Sequence, residues 1–146
     1  MAAGDVSGLL QRDLRDFLLS RVAITDLVGE KVHAMRMPQP AAFPAIVTSL
    51  ITTRPVVSHD GYSELRFRRV QLDLYSDDFD ELLALGEAVF RTLEGFSGNM
   101  GLTQVGHCFL LSERDLDEDG LEGAKPLFRR SQDWEFAEGT LHSTAP

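Results

Sequence analysis

Two β-rich runs flank an Asp60-Gly61 turn signal, and their length constrains the fold more than any other feature of this chain. The first, residues 45–57, contains Ala-Ile-Val-Thr-Ser-Leu-Ile-Thr-Thr, and β-branched residues of this kind suit the pleated surface of a strand. Ser58-His59-Asp60-Gly61 supplies the turn, because Asp-Gly accepts the positive φ of a tight hairpin. In the return run, residues 65–75, Val70, Leu72 and Leu74 alternate with Gln71, Asp73 and Tyr75, which predicts one buried face. Leu65 and Phe67 fall in the opposite phase, so a β-bulge is expected at Arg68-Arg69. Arms of about a dozen residues span roughly 40 Å, about twice a common strand. Such a hairpin overhangs the core that 146 residues can build. Its polar tip, residues 54–66, with Tyr62 beside the turn, is expected to pack on another chain; the alternative is a surface loop between two ordinary strands.

The rest of the chain supplies helices and further strands. Val6, Leu9, Leu10, Leu14, Phe17 and Leu18 recur at helical spacing and predict a helix over about residues 5–21, with Gln11, Arg12, Asp13, Arg15 and Asp16 outward. Thr25 or Asp26 can cap a short extra turn that Gly29 ends. A short strand is expected within residues 31–37. Pro38, Pro40 and Pro44 then preclude regular structure, leaving a connecting loop or a stiff arm toward a neighbour. Ser76-Asp77-Asp78 caps a second helix carrying Phe79, Leu82, Leu83, Gly86, Val89, Phe90 and Leu93, where Gly86 allows close approach to a sheet. Gly95 suits its end, and residues 95–101 read as a turn. A strand over residues 102–112 places Val105, His107, Phe109 and Leu111 on one face. An acidic loop covers residues 115–124. The last strand, residues 127–137, sets Phe128, Trp134 and Phe136 against Ser131, Asp133 and Glu135, and residues 140–146 form a flexible tail. The order α-β-β-β-α-β-β predicts a single α+β domain over residues 1–146. It is a two-layer sandwich of a mainly antiparallel sheet, with two helices on one face and a long protruding β-hairpin.

Composition narrows the function. The hydrophobic share of 43% suffices for one core without disulfide or metal. The single cysteine, Cys108, has no internal partner, which fits a reducing compartment. No run approaches the roughly 20 apolar residues of a membrane span, and the N-terminus lacks the basic start of a signal peptide, so neither anchor nor export is expected. A net charge of −9 argues against generic nucleic-acid binding. A local basic face is nonetheless readable at Arg66, Arg68, Arg69, Arg129 and Arg130.

Candidate chemistry is sparse. Asp115, Asp117, Asp119 and Gly120 match the first half of a calcium loop, but the twelfth position, which needs a bidentate Glu, is Pro126. His33, His59, His107 and His142 lie far apart, with no metal-ligand spacing. His107 and Cys108 are adjacent on a strand, so they point to opposite faces. Cys108 is read as a small core or interface residue. The glycines at 95, 98 and 101 follow a helix and precede a strand, the reverse of a phosphate loop. No cofactor, metal or catalytic residue is expected, and the chain is not read as an enzyme.

Several segments together resemble a known family. They are the Leu-rich first helix leading to Ile24-Thr25-Asp26-Leu27-Val28-Gly29, the Pro-rich step from Met37 to Pro44, Val70-Gln-Leu-Asp-Leu-Tyr75, the helix with Ala84, Ala88 and Leu93-Glu-Gly95, and Phe128-Arg-Arg-Ser-Gln-Asp-Trp-Glu-Phe136. In order, length and spacing they resemble the tail-completion, or tail-terminator, family of long-tailed bacteriophages and phage-like particles, from about Leu9 to Phe136. The acidic insertion near residues 115–123 is longer than that pattern. The resemblance implies a structural virion protein, assembled in the host cytoplasm, that forms a homohexameric ring at the head-proximal end of the tail. It implies as partners its own copies, the tail tube protein and the head connector or stopper, with genomic DNA passing through the lumen unbound and no membrane. Contacts are expected from the hairpin tip (Arg54, His59, Asp60, Tyr62, Arg66), the Pro-rich loop (Met37, Pro38, Phe43) and the acidic loop. Alternatives are another connector component, adaptor or stopper, and a small cytoplasmic ligand-binding α+β domain.

Overall fold

Leu10, Leu14 and Leu18 recur every fourth residue, and this spacing buries one side of the first helix, α1 (Leu10–Leu19). The computed structural model describes residues 9–58, 61–118 and 126–139, and their side chains except at 57, 58, 61–64, 117 and 118. The expected start of α1 before residue 9 and the tail at 140–146 lie outside the described residues. After α1 the chain forms a separate helix, α2 (Val22–Val28), where only a turn capped at Thr25 or Asp26 was expected; Gly29 ends it at φ 64°. There follow β1 (Val32–Ala34), β2 (Ala45–Ser58), β3 (Gly61–Ser76), α3 (Phe79–Leu93), β4 (Gly98–Met100), β5 (Thr103–Glu118) and β6 (Leu127–Glu138). The fold is thus α+β, with three helices on a mixed six-stranded sheet ordered β1-β2-β3-β6-β5-β4. Among the described residues only the β1–β2 pairing is parallel.

The α3 start follows the sequence: the Asp78 carboxylate accepts from the backbone N–H of Asp80 at 2.9 Å and Glu81 at 3.3 Å. Its buried stripe is Leu82, Leu85, Val89 and Leu93, so Leu85 takes the place expected for Leu83. Phe79, Leu83 and Phe90 stay partly open, because the apolar arc of this helix is wider than the surface beneath it. Gly86 makes the close approach that was expected. A Cβ there would lie 3.2 Å from Arg130 Cδ, and Gln132 Nε2 donates to the Gly86 carbonyl at 3.3 Å.

Three sheet details depart from the sequence reading. The bulge expected at Arg68-Arg69 is instead in β2: Leu50 pairs Val70 and Thr52 pairs Arg69, which leaves Ile51 as the extra residue. β3 itself keeps one phase, with Arg68, Val70, Leu72 and Leu74 inward, so Phe67 remains on the face opposite the helices. In β5, register shifts around Gly106 and Leu111 separate Val105 from His107 and Phe109. Val105, Cys108 and Leu110 join or pack against the core, whereas His107 and Phe109 lie on the other face. Finally, residues 115–118, expected in a loop, continue β5 against residues 127–130 of β6, and residues 98–100 form a strand where a turn was expected. An acidic stretch can pair here because Arg130 stands opposite Asp115 and binds its carboxylate.

The core centres on β6. Trp134 and Phe136 are fully buried among side chains of all three helices. The sheet curls, and α1 touches β1 and β2 at one margin and β4 at the other. Polar contacts pin it to both: Gln11 Nε2 donates to Thr48 Oγ1 at 3.4 Å, and Thr103 Oγ1 donates to the Asp13 carboxylate at 2.5 Å.

Candidate interaction surfaces

The five arginines that read as a basic face are each matched by a carboxylate. Glu138, nearly buried, takes Arg66 at 2.8 Å and Arg68 at 2.9 Å. Asp133 takes Arg69 at 2.6 Å, and Asp73 takes Arg129 at 3.1 Å. Arg130 reaches Asp115 through two hydrogen bonds, of 2.6 and 3.1 Å, and lies 3.7 Å from Glu113. These hydrogen bonds hold the Asp115 carboxyl below its usual range against the opposing effect of partial burial, and they raise Arg130. A phosphate backbone would have to displace these internal partners at each of the five arginines.

An aromatic patch lies on the face opposite the helices. His107 stacks on Phe109 with centroids 4.2 Å apart, and Phe67 lies 5.8 Å from His107. The Arg54 guanidinium sits 4.7 Å from the Phe67 ring centroid, and His107 Nε2 is 3.3 Å from Glu135. Near this patch the bulge residues Ile51 (49% exposed) and Leu111 (47% exposed) add uncovered apolar surface. The phase of Leu65 and Phe67 was the available signal for this patch, but it was read as a bulge.

The expected contact residues do not form one site. Arg54 pairs Phe67 in the ladder and Arg66 pairs Pro55, so the two arginines belong to opposite faces. Arg66 is already engaged by Glu138. Tyr62 pairs Val57 along the backbone, and His59 and Asp60 lie outside the described residues. Met37 and Phe43 are half-buried and Pro38 is exposed. Phe43 packs 6.4 Å from Tyr75, at the start of β2, whereas Arg54 is nine residues along that strand, roughly 30 Å away. No local pattern marks Met35, a 70%-exposed side chain on a backbone at φ 74°, a region few non-glycine residues adopt.

The structure offers little to chemistry. Cys108 is buried, and burial, followed by the nearby Glu94 charge, pushes its thiol far above the usual range. His33 titrates below its usual value through burial and then the Lys31 charge. Among the described residues no three His, Cys, Asp or Glu side chains gather as a metal site. Of the calcium-loop candidates, Asp115 is held by Arg130, Asp117 continues β5 opposite Phe128, and Asp119 and Gly120 lie outside the described residues. No helix among the described residues is long and apolar enough to cross a membrane.

Comparison with known proteins adds a sequence match and a structural one. The family model described as tail completion protein gp17 matches residues 12–131. No curated protein matches the chain. Among solved structures, a chain from the virion of a native gene transfer agent (GTA) particle superposes with a TM-score of 0.66 at 19% identity, covering 89% of this chain and 95% of that one.

Proposed function

This chain belongs to the tail completion protein gp17 family, and from that premise we propose that it closes the head-proximal end of a phage-like tail as a ring of its own copies. The family makes it a structural protein of the virion tail. The finer reading is a tail terminator: the ring ends growth of the tail tube and presents a surface to the head connector or stopper. In this reading the whole chain, residues 1–146, acts as one unit and carries no catalytic residue. Its helices form one layer on the sheet, and the β2–β3 hairpin projects beyond it. The family match over residues 12–131 carries the proposal.

The sheet supports it physically. The β3–β6 ladder stops at Arg66 and Glu138, whereas β2 and β3 go on pairing to Ser58 and Gly61. That stretch has no sheet neighbour on the β6 side among the described residues, so the hairpin is free to reach the next copy or the tube. The contact set of this reading remains Arg54, His59, Asp60, Tyr62 and Arg66 at the tip, with Met37, Pro38 and Phe43 in the Pro-rich loop. A net charge of −9 suits a lumen through which DNA slides without binding. Deleting the gene tests the proposal: tails of uncontrolled length, or tails unjoined to heads, are expected in electron micrographs. Full heads bearing tails of normal length would contradict it.

A further inference from the structure

The sheet has two long, bare margins. β1 covers β2 only at Ile46, Val47 and Thr48, and β4 covers β5 only at Thr103, Gln104 and Val105. Glu94 Oε1 takes the Leu110 N–H, and the Gly95 N–H takes the Cys108 carbonyl, so the end of α3 shields the middle of β5. Beyond these points, residues 49–58 of β2 and 112–118 of β5 have no backbone partner on their outer sides among the described residues. Unpaired strand edges of this length recruit another strand unless something prevents it.

The two edges differ in charge, and the difference selects the partner. Residues 112–118 carry Glu113, Asp115, Asp117 and Glu118 against Arg114 alone. Residues 49–58 carry Arg54 as their only charge and Pro55, which lacks an N–H. Pairing β5 with β5 would set acids against acids, and pairing β2 with β2 would bring Arg54 and Pro55 together twice. The acidic edge on the cationic one avoids the like-charge contacts and meets Pro55 once rather than twice. It joins different margins of the same sheet, so the contact is heterologous, and heterologous contacts build rings when the rotation between copies closes.

We propose that copies of this chain join by strand pairing, the β5 edge of one copy (residues 112–118) against the β2 edge of the next (residues 49–58). This rests on the ring reading and names its interface. The sheet then continues from copy to copy, and the hairpin becomes part of the ring wall.

Thr52 and Ser112 provide the test, because both are exposed and both lie on the face opposite the helices, opposite Arg69 and Asp133 in their ladders. The full chain is made as Thr52→Cys, Ser112→Cys and the double variant, with Arg54→Cys plus Arg114→Cys as a second register, and oxidised without denaturant. Native Cys108 is buried and serves as the unlinked control. At least one double variant is expected to move most chains into a covalent ladder on a denaturing gel. Mixed single variants of that pair should stop at dimers, and each single variant alone should remain monomeric. Rings seen by light scattering with no ladder from either pair would overturn the edge pairing and leave the ring standing. Dimers from one single variant alone would overturn it in favour of an isologous contact. A chain that stays monomeric at every concentration, with no ladder, would overturn both.

Discussion

Strands β3 and β6 run side by side at the middle of the sheet, and β2 and β5 run one position further out, yet the two pairs solve different problems. Along β6, residues 131–134 and 136–138 are buried, so both of its faces are covered, and polar contacts tie it to its neighbours: Asp133 holds Arg69, Glu138 holds Arg68, and Trp134 Nε1 donates to Gln132 at 3.1 Å. Along β5, residues 111–115 are all exposed, and along β2 so are Ile51, Thr52, Arg54 and Pro55. The β3–β6 ladder runs unbroken from Arg66 and Glu138 to Ser76 and Phe128, whereas the outer strands carry shifts at Ile51 in β2 and around Gly106 and Leu111 in β5. A misplaced residue in the centre would strand buried polar groups, whereas the margins can take an extra residue and bend. The centre therefore specifies the fold, and the margins are left to meet something else.

The difference can be broken or sharpened by experiment. The largest contrast is in thiol accessibility. A cysteine placed at Thr52 should react with a thiol reagent in the isolated chain at the rate of a free peptide, and Cys108 should react at least about a thousandfold more slowly, through unfolding alone. Comparable rates at neutral pH would show that the helix-covered face of the sheet, where Cys108 lies, is not closed. Next, Trp134→Ala should cost about 4 kcal/mol in urea denaturation, whereas Thr52→Ala should stay within about 0.5 kcal/mol. Glu138→Ala takes the carboxylate from Arg68 in a buried setting, and a loss of about 3 kcal/mol is expected.

The smallest effect belongs to the margin ion pair. The folded carboxyl of Asp115 is depressed below its usual 3.8, so its contribution is present above that value and is lost as pH falls through the folded one. Asp115 is 47% exposed, and solvent screening reduces this to a few tenths of a kcal/mol. Asp115→Asn should thus lower the urea midpoint slightly at pH 7 and converge with the parent chain as the pH falls below 3.8 and through the depressed folded value. A gap that persisted unchanged into acid would show that the charge is not what matters there.

The centre was legible in the sequence and the margins were not. Val70, Leu72 and Leu74, and Trp134 and Phe136, alternate because only one face of each strand meets the apolar core, and the pattern survives in the text of the chain. The cap at Asp78 and the close approach at Gly86 also depend on local residues alone. A bulge does not have that property. The Phe67 phase belonged to an aromatic patch shared with His107, forty residues away in sequence, and the extra residue that looked due in β3 was in its partner. Residues 115–118 looked like a loop because their acids have no local explanation; for Asp115, Arg130 on the facing strand supplies it. The contact residues chosen for their position near turns and prolines proved scattered, since a surface that serves a neighbour leaves no constraint within one chain.

Electron cryomicroscopy of the assembled particle, with this chain built into the map, tests the central claim most directly. The expected result is a single closed ring of this chain at the head-proximal end of the tail tube, with residues 112–118 of each copy beside residues 49–58 of the next. A chain located in the head, at the distal tip or along the tail shaft, or present there as an isolated copy, would contradict it.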